Sequence, residues 1–184
     1  MLKTPPMSPS RPVMVIFDRD GVLNVDHGYA FEPEKLAWMP GARAAVARVN
    51  RAGALAIIAT NQSGIGRGYY READMEAFHA EMLAQLAAEG ARIDRIYFCP
   101  FHEDAVEDRY RVADHPDRKP NPGMLLRALA DFGVAPAEAI MIGDKPADLE
   151  AARRAGVAGF LYAGGDLDAF VAERLAGLTG DPGV

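Results

Sequence analysis

From Val13 onward, short runs rich in β-branched and aromatic residues alternate with Ala-rich amphipathic stretches, and few folds accommodate that rhythm. A strand that returns parallel to its neighbour needs a long crossover, which a helix supplies while covering one face of the sheet. The pattern predicts an α/β fold, a three-layer Rossmann-like parallel sheet with helices on its faces. Strands are expected at Val13–Phe17, Leu55–Ala59, Ile96–Phe98 and Ala139–Ile142, with a fifth at Gly159–Tyr162. Helices are expected at about Ala42–Ala52, Glu72–Glu89, Pro122–Phe132 and Ala147–Ala155, each followed by a glycine stop (Gly53, Gly90, Gly133, Gly156), with a shorter helix near Asp168–Leu175.

A length of 184 residues with 49% hydrophobic content suits one domain, expected over residues 13–178. The first twelve residues carry four prolines and no apolar run, so they predict a disordered lead-in rather than a signal peptide or anchor. Residues 179–184 predict a flexible tail. The single cysteine, Cys99, can close no intramolecular disulfide, which fits a cytoplasmic protein and excludes a site with several thiolates. A net charge of −6 argues against a nucleic-acid surface while leaving room for a local cationic pocket. No membrane association is expected, and the chain is expected to be a monomer or a weak homo-oligomer.

In open parallel sheets ligands bind beyond the carboxyl ends of the strands, so the polar residues there are the candidates for chemistry. Asp18 and Asp20 (FDRDG) leave the first strand two residues apart. Period-two alternation sends both carboxylates to one side and Arg19 elsewhere, while Gly21 permits a sharp exit. Two such carboxylates repel unless a cation lies between them or one holds a proton, which suggests Mg²⁺ or acid/base chemistry. The fourth strand ends in Gly143-Asp144-Lys145, with Asp148 one turn into the next helix, where it serves either a metal or the helix start. Thr60 ends the second strand and is followed by a small-residue loop, Asn61 to Gly68, whose N–H groups could surround an anion. Arg118 and Lys119 precede a helix start, again favourable for phosphate.

Each piece alone reads equally as a turn, a cap or a solvated charge. In order, D-x-D-G, Thr, Lys and G-D-x-x-x-D resemble the haloacid dehalogenase superfamily of phosphohydrolases over nearly the whole chain from Val13 to about Tyr162. The resemblance implies Asp18 as a nucleophile that becomes an aspartyl-phosphate and Asp20 as proton donor and then base. It further implies Thr60 and Lys119 as phosphate ligands, and Mg²⁺ held by Asp18, the Asp20 backbone carbonyl and Asp144. The strings Asp18–Tyr29 (DRDGVLNVDHGY), Thr60–Gly68 (TNQSGIGRG) and Arg118–Leu126 (RKPNPGMLL) are similar to the heptose-bisphosphate 7-phosphatases and the related histidinol-phosphatase branch. That closer likeness nominates His27, Tyr29, Asn61, Gln62, Ser63, Arg67 and Arg118 as substrate-binding residues. It implies a small phosphorylated sugar as substrate, with histidinol phosphate as the alternative.

The same branch commonly carries a structural zinc, held by a Cys-x-His pair and a Cys-x-Cys pair. Here those positions read Cys99, Phe101, His115 and Asp117, so only Cys99 matches. A set of Cys99, His102, His115 and Asp117 is chemically conceivable, yet its spacing is irregular and structural zinc favours thiolates. The expectation is a metal-free loop, which removes one means of aiming Arg118. The intervals from Asp20 to Thr60 and from Thr60 to Lys119 leave no room for an inserted cap domain, so a capless core is expected. A receiver-like phosphoacceptor module shares the strand-end acids, Thr and Lys, but Asp20 would hydrolyse its phosphoaspartate quickly.

Overall fold

The computed structural model describes residues 13–179. The expected lead-in over 1–12 lies outside the described residues, as does the expected tail over 179–184 apart from Thr179. A five-stranded parallel sheet runs in the order β3-β2-β1-β4-β5, with β1 at Met14–Phe17, β2 at Leu55–Asn61, β3 at Arg95–Cys99, β4 at Ala139–Gly143 and β5 at Ala158–Leu161. The helices are α1 (Ala42–Arg51), α2 (Ser63–Gly66), α3 (Glu72–Ala88), α4 (Gly123–Phe132), α5 (Pro146–Ala155) and α6 (Leu167–Thr179).

The central strand explains the layering. Met14, Val15, Ile16 and Phe17 are all fully buried, as a parallel strand covered on both faces must be. Val15 and Phe17 join a core with Val46 and Val49 of α1, Phe78 and Met82 of α3 and Val171 of α6. Met14 and Ile16 join another with Met124 and Leu125 of α4 and Ala151 and Ala152 of α5. One strand thus anchors both helical layers, and its carboxyl end is fixed between β2 and β4, where Asp18 N–H donates to the Ile142 carbonyl at 2.9 Å.

Two local readings need correction. β2 continues through Thr60 to Asn61, so Thr60 lies within the strand rather than at its end. The stretch expected as an open anion-binding loop instead folds as the helical turn α2, with Gly64, Ile65 and Gly66 buried. Gly64 faces aromatic rings: a Cβ there would lie 2.2 Å from Tyr70 and 2.7 Å from Tyr29, so its missing side chain is a packing requirement. Among the described residues no helix is long and apolar enough to cross a membrane.

Candidate active site

At the carboxyl edge of the sheet a small recess of about 60 Å³ is lined by Asp18, Asp20, Thr60, Asn61, Lys119, Lys145, Ala147 and Asp148. It shares Asp20, Asn61, Lys119, Lys145 and Ala147 with a wider cleft of about 420 Å³, whose walls add Asp26, Gly28, Tyr29, Ala30, Gln62, Ser63, Tyr70 and Arg118. β1 delivers the acids, β2 delivers Thr60 and Asn61, and the segment before α4 delivers Lys119.

The floor of the recess is a buried charge cluster. Lys119 Nζ donates to Asp18 Oδ1 at 2.8 Å and to the Ala59 carbonyl at 2.7 Å, and it lies 2.6 Å from Asp148 Oδ1. Burial opposes its charge, but the carboxylates of Asp18 and Asp148 outweigh that and hold Lys119 above the ordinary lysine range. Its backbone is also fixed: Lys119 N–H donates to Asn61 Oδ1 and Asn61 Nδ2 donates to the Lys119 carbonyl, both at 3.0 Å. Asn61 therefore positions the lysine as well as lining the cleft.

Asp148 plays a part at the helix start and another in the recess. Its Oδ2 accepts from Lys145 N–H at 3.0 Å, satisfying a free donor at the start of α5, while Oδ1 grips Lys119. Gly143 makes room for this, since a Cβ there would lie 2.1 Å from that of Asp148.

Asp18, Asp144 and Asp148 each offer a carboxylate oxygen within 4.8 Å of the others, the sole such group of acid, His or Cys ligands among the described residues. Burial, and then the neighbouring Asp18 and Asp148, push Asp144 up to about 6 against the pull of Lys145. Asp144 Oδ1 is buried with no hydrogen-bond partner. An orphaned buried carboxylate oxygen beside a second carboxylate fits a hard cation such as Mg²⁺, which takes oxygen ligands. Gly21, at φ +86°, lets the chain pass this acid, because a Cβ there would meet Asp144 Oδ2 at 2.3 Å.

The side chain of Asp20 is absent from that acid group. It accepts from Asn24 Nδ2 at 2.9 Å and Gln62 Nε2 at 3.1 Å, and from Arg19 at 2.9 Å. Hence the predicted repulsion within the D-x-D pair is relieved by two separate cations, Lys119 on Asp18 and Arg19 on Asp20. Arg19 corrects the expectation that it points elsewhere: its stem leaves the opposite side, but the guanidinium returns to the neighbouring carboxylate. Gln62 Nε2 also donates to Thr60 Oγ1 at 2.9 Å, and Gln62 Oε1 accepts from Tyr70 at 2.5 Å.

Of the nominated substrate residues, Tyr29, Asn61, Gln62, Ser63 and Arg118 line the cleft. Tyr29 packs edge-on to Tyr69 at 4.7 Å. His27 is exposed and Arg67 half-buried, and neither is in the cleft wall. Arg67 turns instead toward His102, 2.9 Å from Nε2, and toward Asp104 at 3.6 Å, whose carboxylate supplies the opposite charge. Sequence reasoning misses Asp26 and Lys145, bonded to each other at 3.2 Å, although each adjoins a nominated residue. It likewise misses Tyr70, close to Arg67 and Gly68.

The suggested zinc ligands are not brought together as a cluster among the described residues. Cys99 is buried and its thiol is pushed up to about 11, chiefly by burial. His102 Nδ1 accepts from Asp104 N–H, His115 stacks on Phe101 with centroids 3.9 Å apart, and Asp117 pairs with Arg127 at 3.0 Å. The stacked loop still aims Arg118, whose Nη1 donates to the Phe101 carbonyl at 3.3 Å and whose N–H donates to the His115 carbonyl at 2.9 Å.

The HAD-hydrolase-like family profile matches residues 117–178. The chain is 45% identical over 169 residues to the D-glycero-β-D-manno-heptose-1,7-bisphosphate 7-phosphatase of Rhodopseudomonas palustris, covering 91% of this chain and 92% of that protein. It is 44% identical over 143 residues to the D-glycero-α-D-manno-heptose-1,7-bisphosphate 7-phosphatase of Burkholderia mallei, covering 78% and 75%. A crystal structure of the D,D-heptose 1,7-bisphosphate phosphatase from B. bronchiseptica, complexed with magnesium and phosphate, superposes with a TM-score of 0.78 at 31% identity, covering 90% of this chain and 99% of that one.

Proposed function

The chain belongs to the haloacid dehalogenase-like hydrolases and is a phosphatase, and from that premise we propose that it removes the 7-phosphate of a D-glycero-D-manno-heptose 1,7-bisphosphate through a phosphorylated Asp18. The observation that carries this reading is the single recess in which Asp18, Asp20, Thr60 and Lys119 converge beside a carboxylate group suited to Mg²⁺.

An Asp18 oxygen attacks phosphorus and the bond to the sugar oxygen breaks, leaving an acyl phosphate on Asp18. Asp20 gives its proton to the departing alkoxide, then takes one from the water that attacks the acyl phosphate, which returns Asp18 and releases inorganic phosphate. Lys119 and the Thr60 hydroxyl hold the phosphoryl oxygens in place. Asp18, Asp144 and the Asp20 backbone carbonyl would hold Mg²⁺, which supplies positive charge against the transferring phosphoryl group. Tyr29 and Ser63 would face the sugar, and Arg118, which lines the cleft, would supply the cation that the retained second phosphate needs.

The test is phosphate release from the α and β anomers of the heptose bisphosphate and from histidinol phosphate, each with Mg²⁺, against an Asp18→Asn control. A preference of ~100-fold or more in kcat/KM for one heptose anomer supports the reading. Release by wild type no faster than by the control ends it, and a preference for histidinol phosphate transfers the chain to the sister activity.

A further inference from the structure

Arg19 sits between the two acids in sequence and is fully buried. A permanent charge in such a place needs a partner, and the guanidinium turns two of its three nitrogens to Asp20: Nε and Nη2 reach Oδ1 at 3.2 and 3.0 Å, and Nη2 reaches Oδ2 at 2.9 Å. The guanidinium is itself held from behind. Nη1 meets His79 Nε2 at 3.1 Å, Nη2 donates to the Ala30 carbonyl at 2.7 Å, and the guanidinium carbon stands 4.8 Å over the Phe78 ring. His79, buried on α3, is pushed down to about 3 by burial and then by Arg19, so it is neutral and accepts through Nε2. With Asn24 and Gln62 on its remaining sides, Asp20 is left with one orientation toward the recess.

We propose that Arg19 is a positioning residue, fixing the pose in which Asp20 meets the leaving-group oxygen, and that His79 holds Arg19 in that pose. The proposal rests on the assignment of Asp20 as proton donor. A proton donor matters in proportion to how badly the leaving group needs a proton. A sugar alkoxide needs one, whereas dinitrophenolate departs as a stable anion. A side chain that merely supports the fold would lower both rates alike.

The experiment compares kcat/KM, with Mg²⁺, on the heptose bisphosphate and on 2,4-dinitrophenyl phosphate. This parameter reports steps through formation of the acyl phosphate, so the later hydrolysis does not blur it. Asp20→Asn should lose ~10²–10⁴-fold on the sugar ester and remain within ~3-fold of wild type on the aryl ester. Arg19→Met should show the same selectivity at a smaller scale, ~10–100-fold on the sugar ester with the aryl ester within ~3-fold.

His79→Leu, which removes the acceptor, should lose ~3–10-fold selectively, and His79→Gln, whose Oε1 replaces it, should stay near wild type. If Arg19→Met does not fold, this pair decides. With Asp20→Asn selective, equal losses on both esters or no loss in Arg19→Met, or in His79→Leu, overturn the proposal. If Asp20→Asn is itself unselective, the assignment of Asp20 fails first and the proposal falls with it.

Discussion

Replacing Gly21 by alanine separates the backbone demand of the strand-end turn from its demand on the metal carboxylate. At φ +86° an L-residue is strained, and the new Cβ would lie 2.3 Å from Asp144 Oδ2. Ordinary contact begins near 3.4 Å, so the carboxylate must retreat by about 3.4 − 2.3, or roughly 1 Å, which breaks a coordination shell built on hard oxygen distances. Gly53, at φ +72° with nothing within 4 Å of the position a Cβ would take, isolates the backbone cost. Both Gly21→Ala and Gly53→Ala should lose about 1–2 kcal/mol of stability, a fall of roughly 2–8 °C in Tm. Only Gly21→Ala should weaken Mg²⁺ binding, by ~10–100-fold, with turnover recovering part of its loss as Mg²⁺ is raised. Denaturant melts give the first quantity and calorimetric Mg²⁺ titration the second. Equal Mg²⁺ affinity in wild type and Gly21→Ala would refute the placement of Asp144 as a ligand whose position Gly21 protects.

Other consequences are as direct. Lys119→Met leaves Asp18 and Asp148 buried without their shared cation, and urea unfolding should show a loss of about 3–5 kcal/mol. Because His79 is depressed to about 3 in the folded protein, the unfolded chain takes up a proton below pH ~6.5 that the folded chain refuses, so stability falls as pH drops through that window. Between pH 7 and pH 5 wild type should lose about 2 kcal/mol more than His79→Gln, read from paired denaturation curves.

The strands and principal helices were legible because burial writes itself into composition: β1 is apolar at every position since both faces are covered, and the helices end at glycines. Asp18 and Asp144 were legible because strand ends in a parallel sheet share one rim, and Lys119 because it stands ahead of a helix start. What escaped were destinations of long side chains. Alternation says which face the Arg19 stem leaves, not that its guanidinium bends back to Asp20, since that depends on His79 and Ala30 far along the chain. The course of Arg67 was hidden for the same reason, its direction being set by His102 and Asp104. The helical turn α2 hid in a glycine-rich string because the aromatic rings that demand Gly64 lie outside the turn itself.

Asp18 and Asp144 directly follow adjacent strands but lie 126 residues apart in the sequence. A cation gripped between them would therefore be a strap as well as a reagent, tying the first strand to the fourth. At a free concentration 100 times its dissociation constant it would add about 2.7 kcal/mol to the folded state. The ion that serves turnover would thereby also hold the fold, and its removal would lower stability together with activity.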